Sequence, residues 1–321
     1  MTRQKRRKMK PNQITPMRTD PAAAEAQSRE YVSAKLMRAA KTIRPITEHL
    51  ARSFGKGVRT KLLLAAATGE DGLVPHEAVQ AAAAIELFHM ATLVHDDIID
   101  EAEIRRGIAS VQARFGKKEA VICGDYLLCV AVRIISSIGA PHISMVEKFA
   151  VVMERICLGE LRQLGNNFNM DITFFEYMKI IRGKTAALFY ISAYAGGVLA
   201  GEDDAELQKL ARLGSHLGMA FQILDDCKDY TLNESEALKP TQKDIATGVV
   251  NLPLLLAFIK EPALRDFAKN AGIFDKVRSL GAVKDAQNIA EKYHLKIQKI
   301  IDGMENRRKA AALQQLIDGS V

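Results

Sequence analysis

The positions of proline constrain the fold more than any other feature of this sequence. Between Pro75 and Pro240 the chain contains a single proline, Pro141, and it shows no run of alternating polar and apolar residues. Proline inside a helix removes a hydrogen bond and clashes with the preceding turn, so long proline-free stretches with helical periodicity can form long buried helices. The sequence therefore predicts an all-α fold.

Helix signals follow one another along nearly the whole chain. Asp20 and Pro21 are typical of an N-cap followed by proline in the first turn, and we extend this helix to Thr42. The other predicted helices cover residues 57–68, 76–103, 118–137, 142–165, 173–199, 204–229, 251–259, 283–303 and 305–317. Hydrophobic residues make up 48% of the chain and no Gly/Ser/Pro-rich linker divides it, so we predict one domain over residues 20–321.

The positive charge of the chain is concentrated at its N-terminus. The net charge is +7, and residues 1–19 contain seven Lys or Arg and no acid, so the remaining body is neutral. A nucleic-acid-binding fold carries its basic face on the folded body, so we expect no nucleic-acid partner. Residues 1–19 are predicted to be a disordered, solvated tail, and contact with anionic lipid is the alternative.

The N-terminal tail, the cysteines and the longest uncharged run bear on where the protein is located. The tail lacks the apolar segment of a signal peptide, and the four cysteines form no C-x-x-C pair, which suits a reducing compartment. The uncharged run 185–201 is shorter than the ~20 residues of a membrane span, and we assign it to a buried helix. We expect a cytoplasmic protein, with peripheral membrane contact during product release as a further expectation.

Three aspartates follow one of the most apolar stretches of the chain. They are Asp96, Asp97 and Asp100, within the segment TLVHDDIIDEAEIRRG. Positions i, i+1 and i+4 of a helix fall within about 100° of arc, so these carboxylates should project to one side. Placing carboxylates against an apolar face costs free energy unless a cation or hydrogen bonds compensate them. The cluster therefore predicts a cationic partner.

The same spacing recurs in FQILDDCKDY, where the aspartates are Asp225, Asp226 and Asp229. One such trio alone is usually a solvated acidic face, but two matching trios at the ends of apolar helices make that interpretation improbable. Oxygen ligands without cysteine favour a hard ion such as Mg²⁺, which keeps water and completes its shell with substrate phosphates. The implied substrate is a diphosphate.

Basic residues lie close to both trios in the sequence. Lys56 and Arg59 stand three apart in FGKGVRT and should share one helical side, Arg105 and Arg106 follow the first trio, and Lys184 precedes Thr185. Together these cations could hold two diphosphates, one at the metal ions and one on cations alone.

At these motifs, from about residue 25 to the C-terminus, the sequence resembles the trans-isoprenyl diphosphate synthases. HDDIIDEAEIRRG and GMAFQILDDCKDY resemble the two aspartate-rich motifs of the family, and CGDYLL, LGELRQL, GKTAALF and NLPLLLA resemble further signatures in the same order. The resemblance implies an isoprenoid-synthase-type bundle of about ten or more helices around a central catalytic cavity. It also implies a dimer.

The resemblance implies roles for individual residues. About three Mg²⁺, with Mn²⁺ as an alternative ion, would be held against the allylic diphosphate by Asp96, Asp97, Asp100, Asp225, Asp226 and Asp229. The same leaving group would be bound by Arg105, Lys184, Gln222 and Lys239, while isopentenyl diphosphate would be bound by Lys56, Arg59, His89 and Arg106. Thr185 would face the developing cation.

The implied reaction joins isopentenyl diphosphate to an allylic prenyl diphosphate, with farnesyl diphosphate as the expected primer. The metal ions and cations stabilise the departing diphosphate, and the isopentenyl double bond attacks the allylic cation. One turn before Asp96 the residues Ala91 and Thr92 are small, and Phe88 is the first bulky one. Phe88 lies nearly another turn deeper, since each residue rises about 1.5 Å. In family members that stop at farnesyl or geranylgeranyl length an aromatic residue commonly blocks the level of Ala91, so the resemblance implies a longer product here, about six to eight isoprene units, C30–C40, as in quinone side chains.

Several alternatives remain open. A geranylgeranyl or farnesyl diphosphate synthase would share all these motifs, and a terpene cyclase would share the first trio but usually lacks the second. Glu86-x-x-His89 and Glu291-x-x-His294 match the signature of di-iron carboxylate bundles. The motifs resemble the large subunits of heptaprenyl-like synthases, so either a homodimer or a heterodimer with a small regulatory subunit is expected.

This chain departs from the family pattern at two places. It has Phe54 and Thr60 where the family usually has glycine and proline, and Leu238 and Val249 where the usual flap has glycine and lysine. The departures bear on flap closure and leave both aspartate motifs intact.

Overall fold

The computed structural model describes residues 17–138, 143–231, 247–267 and 272–319. These residues are almost entirely helical, as predicted. The helices are α1 Pro21–Met37, α2 Arg44–Leu50, α3 Val58–Ala66, α4 His76–Ile99, α5 Val111–Phe115, α6 Lys117–Ser137, α7 Ile143–Asn166, α8 Phe174–Ile181, α9 Ala187–Ala200, α10 Asp204–Thr231, α11 Leu252–Lys260, α12 Ile273–Ser279, α13 Ala282–Asp302 and α14 Arg307–Asp318. A π-helical turn, Arg182–Ala186, joins α8 to α9, and a 3₁₀ turn covers Pro262–Phe267.

Two antiparallel pairs of two-residue strands accompany the helices. β1 (Arg18–Thr19) pairs with β2 (Val74–Pro75), and β3 (Ile104–Arg105) pairs with β4 (Ile108–Ala109). Arg18 and Thr19, which the sequence assigned to the tail, thus lie on the folded body, and Arg18 also forms an ion pair with Asp71 at 3.1 Å. The rest of the predicted tail, residues 1–16, lies outside the described residues.

The long helices match their sequence predictions, whereas several helix ends and short helices do not. The first helix ends at Met37 instead of Thr42, and Pro45 then lies in the first turn of a separate helix, α2. The helix expected to reach residue 103 ends at Ile99, with Asp100 as its C-cap. The three short helices α2, α5 and α12 were not predicted, because one or two turns carry little periodic signal.

The core forms around α4, whose residues Ala81–Ala84 are fully buried. Small residues also allow close helix packing at α9, where a Cβ on Gly196 would lie 2.3 Å from the carbonyl oxygen of Leu63 in α3. The uncharged run 185–201 forms most of α9 and is buried, as predicted. This packing fixes the C-terminal ends of α4 and α10, which carry the aspartates.

Two helices, α4 and α6, are long and apolar enough to cross a membrane by length and composition alone. In α4, 72% of the apolar window is buried within the protein, as in the core helix of a soluble protein. The corresponding share for α6 is only 44%. The outward face formed by α6 and α7 accordingly exposes large apolar side chains: Val121, Ile122, Val132, Val151, Leu158 and Leu161.

Candidate active site

The first aspartate trio occupies the last turn of α4. The backbone N–H of Asp100 donates to the carbonyl of Asp96 at 2.8 Å, so the helical spacing extends through the trio. Asp97 is 3% exposed and accepts a hydrogen bond from Arg105 Nε at 2.7 Å, in the β3–β4 hairpin. The charge of Arg105 also acts on the pKa of Asp96, so this cation lies near two members of the trio.

Asp96 and Asp100 lie near Lys184 of the π-helical turn. Burial raises the pKa of Asp96 to about 7, and the neighbouring carboxylates of Glu160 and Asp100 act in the same direction. The positive charges of Lys184 and Arg105 oppose this increase. A partly buried carboxylate with an elevated pKa is a favourable position for an added cation.

Lys184 is held by an acidic residue that the sequence analysis did not single out. Its Nζ donates to Glu160 Oε1 of α7 at 2.9 Å. Burial alone would lower the pKa of Lys184, but the carboxylates of Glu160 and Asp96 outweigh it and raise the pKa. The two helices approach closely at glycines, because a Cβ on Gly159 would lie 2.4 Å from the backbone nitrogen of Lys184. The paired glycines of LGELRQL and RGKTAALF were the available sequence signal.

The three aspartates of the second trio, at the end of α10, differ in exposure and in their partners. Asp225 is exposed and forms an ion pair with Lys228 at 3.3 Å. Asp226 is buried and accepts hydrogen bonds from Tyr177 Oη at 2.7 Å, Gln222 Nε2 at 2.8 Å and the backbone N–H of Leu252 at 3.1 Å. Its carboxylate thus binds protein donors from α8, α10 and α11. Asp229 is approached by Asn251 Nδ2 at 3.5 Å.

Gln222 links this second trio to Thr185. The Thr185 hydroxyl, which is buried, donates to Gln222 Oε1 at 2.6 Å, so the residue beside Lys184 is fixed to α10. The structure thereby brings together Lys184, Thr185 and Gln222, as the sequence predicted for one site. Lys239, the remaining residue predicted to bind the same diphosphate, lies outside the described residues.

A second group of charged side chains lies between α3, α4 and the hairpin. The Arg59 guanidinium lies 4.6 Å from the ring centroid of Phe189, and its Nη1 donates to His89 Nε2 at 3.2 Å. Burial lowers the pKa of His89 well below its usual value, and Arg59 and Arg106 lower it further. His89 is therefore neutral at pH 7 and accepts this hydrogen bond. Glu86, which is buried, counters the two arginines.

Arg106 reaches the same group from the hairpin. Its Nη1 donates to the carbonyl of Ser53 at 2.9 Å, and its side chain lies against Gly55, where a Cβ would be 2.4 Å from Nη2. A larger residue at position 55 would therefore displace the guanidinium from this position. Phe54, which departs from the family pattern, packs against the core beneath the Arg29 guanidinium at 5.3 Å from its ring centroid.

The spacing predicted that Lys56 and Arg59 share one side of a helix, and the structure shows that they do not. Gly57 adopts a left-handed conformation (φ 64°) between them and begins α3, so Lys56 lies outside the helix and is exposed. Thr60, the second departure, is buried and donates to Glu86 at 3.4 Å. Proline, which has no hydroxyl, would not make this contact.

The donor set at the aspartates fits Mg²⁺. Across residues 17–138, 143–231, 247–267 and 272–319, no three His, Cys, Asp or Glu side chains form a group that could hold a metal ion. Mg²⁺ needs only one or two carboxylates when substrate phosphates and water complete its shell. Asp96 and Asp100 supply such oxygens beside Lys184, and Asp225 supplies another close to Arg59.

The absence of a three-residue metal-binding group among the described residues also argues against the di-iron alternative. Its two Glu-x-x-His pairs lie on α4 and α13, the Glu291 side chain is 64% exposed, and Glu291 Oε2 lies 3.7 Å from His294 Nδ1 in the same helix. In the described part of the chain the four residues therefore do not form a shared carboxylate centre.

Comparisons with known proteins agree with this arrangement. The family model "Polyprenyl synthetase" matches residues 40–289. Heptaprenyl diphosphate synthase component 2 of Geobacillus stearothermophilus is 32% identical over 280 residues, which cover 84% of this chain and 86% of that protein. Octaprenyl diphosphate synthase of Escherichia coli (strain K12) is 37% identical over 65% of this chain and 64% of its own length.

Solved structures show the same fold over nearly the whole chain. Heptaprenyl diphosphate synthase from Staphylococcus aureus superposes with a TM-score of 0.87 at 26% identity, covering 95% of this chain and 98% of that one. A polyprenyl synthase from Caulobacter crescentus, solved with calcium and isoprenyl diphosphate, gives a TM-score of 0.85 at 29% identity, covering 93% and 94%. The chain therefore belongs to the polyprenyl synthetase family of trans-prenyl diphosphate synthases.

Proposed function

We propose that this protein condenses isopentenyl diphosphate with an allylic prenyl diphosphate, farnesyl diphosphate being the expected primer. The observation that supports this is the presence of two different anion sites close to each other. One combines Asp96 and Asp100 with Lys184, and the other is the cationic group of Arg59 and Arg106 beside His89, where the charge of Asp225 also acts on Arg59. Arg105 acts on the pKa of both Asp96 and His89 and so lies near both sites. A condensation of two diphosphates in which only one departs requires such a difference.

Each group has a distinct task in this reaction. Mg²⁺ bound at Asp96, Asp100 and Asp225, with Mn²⁺ as an alternative, would neutralise the departing diphosphate. Lys184 adds a positive charge on the same side, and Glu160 fixes its position. The Arg59 group holds the second diphosphate, which stays attached. Apolar walls exclude water, so the allylic cation meets the isopentenyl double bond first.

The length of the product follows from the residues that precede Asp96 on α4. Ala91 is fully buried and small, and Phe88 packs edge-on against Phe149 with ring centroids 5.3 Å apart. The small Ala91 leaves the level about one turn before Asp96 open to the growing chain, and on this basis we propose a product of about six to eight isoprene units. The relatives include synthases named for heptaprenyl, octaprenyl and nonaprenyl products.

The Ala91→Phe variant is expected to shorten the product without abolishing the first condensation. The added ring would fill the tunnel one turn before Asp96 while the charged groups stay in place. Mass spectrometry of the prenyl diphosphates checks this, and an unchanged length distribution would contradict the tunnel. Overpacking a core costs about 1–3 kcal/mol of stability, so the melting temperature of the Ala91→Phe variant must be measured as well. Ala82→Phe, on the same helix, is the control for the effect of overpacking alone.

The outward face of α6 and α7 supports the proposal that another protein chain binds there. Its exposed apolar side chains form a patch of the kind that marks protein interfaces. Two relatives are named as component 2 of a heptaprenyl synthase, a name that implies another component in those enzymes. A homodimer through this face is our proposal, and a heterodimer with a small subunit is the alternative. A cytoplasmic location with peripheral membrane contact remains part of the proposal.

The purified protein is expected to release inorganic diphosphate and form longer prenyl diphosphates when given isopentenyl diphosphate, farnesyl diphosphate and Mg²⁺. Phosphate release and chromatography of the extracted lipids measure both products. A protein that is inactive alone and active with cell extract would indicate a required partner subunit. Inactivity in both conditions would overturn the proposed reaction.

A further inference from the structure

We infer that Tyr177 is a positioning residue for the reaction and that it orients Thr185 through Asp226 and Gln222. The inference rests on the proposed function. Three hydrogen bonds form the connection: Tyr177 Oη to Asp226 at 2.7 Å, Gln222 Nε2 to Asp226 at 2.8 Å and Thr185 Oγ1 to Gln222 at 2.6 Å. We call these four residues the Tyr177 relay.

The orientation of the Gln222 amide sets the direction of the hydrogen bonds on both of its sides. Its Nε2 donates to Asp226 Oδ1, and its Oε1, which can only accept, faces the Thr185 hydroxyl. Thr185 therefore donates its hydrogen to Gln222, which leaves its oxygen lone pairs as acceptors beside Lys184. An oxygen in this orientation stabilises positive charge that develops there.

Tyr177 fixes the carboxylate from which this order begins. Asp226 Oδ2 accepts from the Tyr177 hydroxyl and from the backbone N–H of Leu252, while Oδ1 accepts from Gln222. The Tyr177 ring is 4% exposed and belongs to the core formed by α8, α10 and α11. The hydroxyl thus connects Asp226 to a core that three helices form. Removing the hydroxyl leaves the Asp226 carboxylate in place but makes its orientation less restricted.

The assignment also changes the interpretation of the second trio. Asp226 was predicted from the sequence to bind metal, yet it accepts hydrogen bonds from three helices within the protein, whereas Asp225 of the same trio is exposed. Under this inference Asp226 acts on the reaction through Gln222 and Thr185. The two neighbouring aspartates therefore have different tasks.

The Tyr177→Phe variant keeps the ring and removes only the hydroxyl. We expect kcat to fall roughly tenfold, about the effect of one hydrogen bond, while KM for isopentenyl diphosphate stays within about twofold. Tyr194→Phe is the matched control, because Tyr194 is also 4% exposed but belongs to a different core cluster. Its kcat should remain unchanged. A loss through general loosening of the core would instead raise KM and lower kcat together in both variants.

A double-mutant cycle with Thr185→Val decides whether Tyr177 acts through Thr185. If the relay exists, adding Tyr177→Phe to Thr185→Val lowers kcat by less than about twofold, because the oriented hydroxyl is already absent. A double loss equal to the product of the two single losses would overturn the inference.

An inactive wild-type protein would count against the proposed function rather than against the relay. In that case the same four proteins are unfolded in urea, and the relay predicts that the shift of the midpoint in the double variant is smaller than the sum of the single shifts. Additive shifts would overturn the inference without any measurement of activity.

Discussion

Replacing Asp96 with asparagine is expected to lower turnover about 10²–10³-fold, as for the loss of one element from a site that works by charge stabilisation. Asp96 lies beside Lys184 and Asp100 in a partly buried environment that raises its pKa to about 7, so ionising it near pH 7 costs free energy. A bound cation would offset this cost and hold the carboxylate in its charged form. Initial rates at several Mg²⁺ concentrations measure the effect.

Asp97→Asn is the matched comparison, because it changes the adjacent residue in the same way. Asp97 is buried against Arg105, and its neutralisation leaves that guanidinium without its paired charge. Breaking a buried pair typically costs about 3–5 kcal/mol of stability, so this variant should melt at a lower temperature. Asp96→Asn should keep or increase the melting temperature, since it removes one of several repelling carboxylates. Near-normal turnover of Asp96→Asn at saturating Mg²⁺ would contradict the assigned metal role.

The long helices could be predicted from the sequence because their apolar periodicity is local information. α6, α7 and α10 begin and end within about two residues of their predicted positions, which is the usual uncertainty of helix boundaries. The first helix was extended too far because residues 38–42 do not contain a strong stop signal. Helix ends and short helices depend on tertiary packing, which spacing alone does not reveal.

The aspartate trios show which features of the site could be predicted from the sequence and which could not. Their position on helix ends and their charge were visible, but the direction of each carboxylate depends on partners distant in the chain. Asp97 accepts a hydrogen bond from Arg105 of the β3–β4 hairpin, and Asp226 accepts one from Tyr177, 49 residues away in sequence. Glu160 was overlooked for the same reason, since its proximity to Lys184 requires two glycines on different helices to meet.

The Arg59→Lys variant is expected to raise KM for isopentenyl diphosphate roughly 100-fold, near the upper range for a hydrogen bond to a charged group. The Arg59 guanidinium lies over the adjacent rings of Phe189 and Phe221, at 4.6 and 5.9 Å from their centroids. Among the described residues, its Nε is buried with no hydrogen-bond partner. An unsatisfied buried donor on a fixed guanidinium is suited to an oxygen of a bound diphosphate.

Lysine preserves the charge but not this geometry. The Arg59 pKa is lowered to about 10 by burial, so the guanidinium still carries its charge near pH 7, and the variant isolates the loss of the planar fork. KM for the allylic substrate should change far less, because that diphosphate lies with Lys184. Arg52→Lys, at an exposed position before α3, is the control and should leave both KM values unchanged. Equal increases in the two KM values would contradict the separation of the two diphosphate sites, because a shared site would respond to both substrates alike.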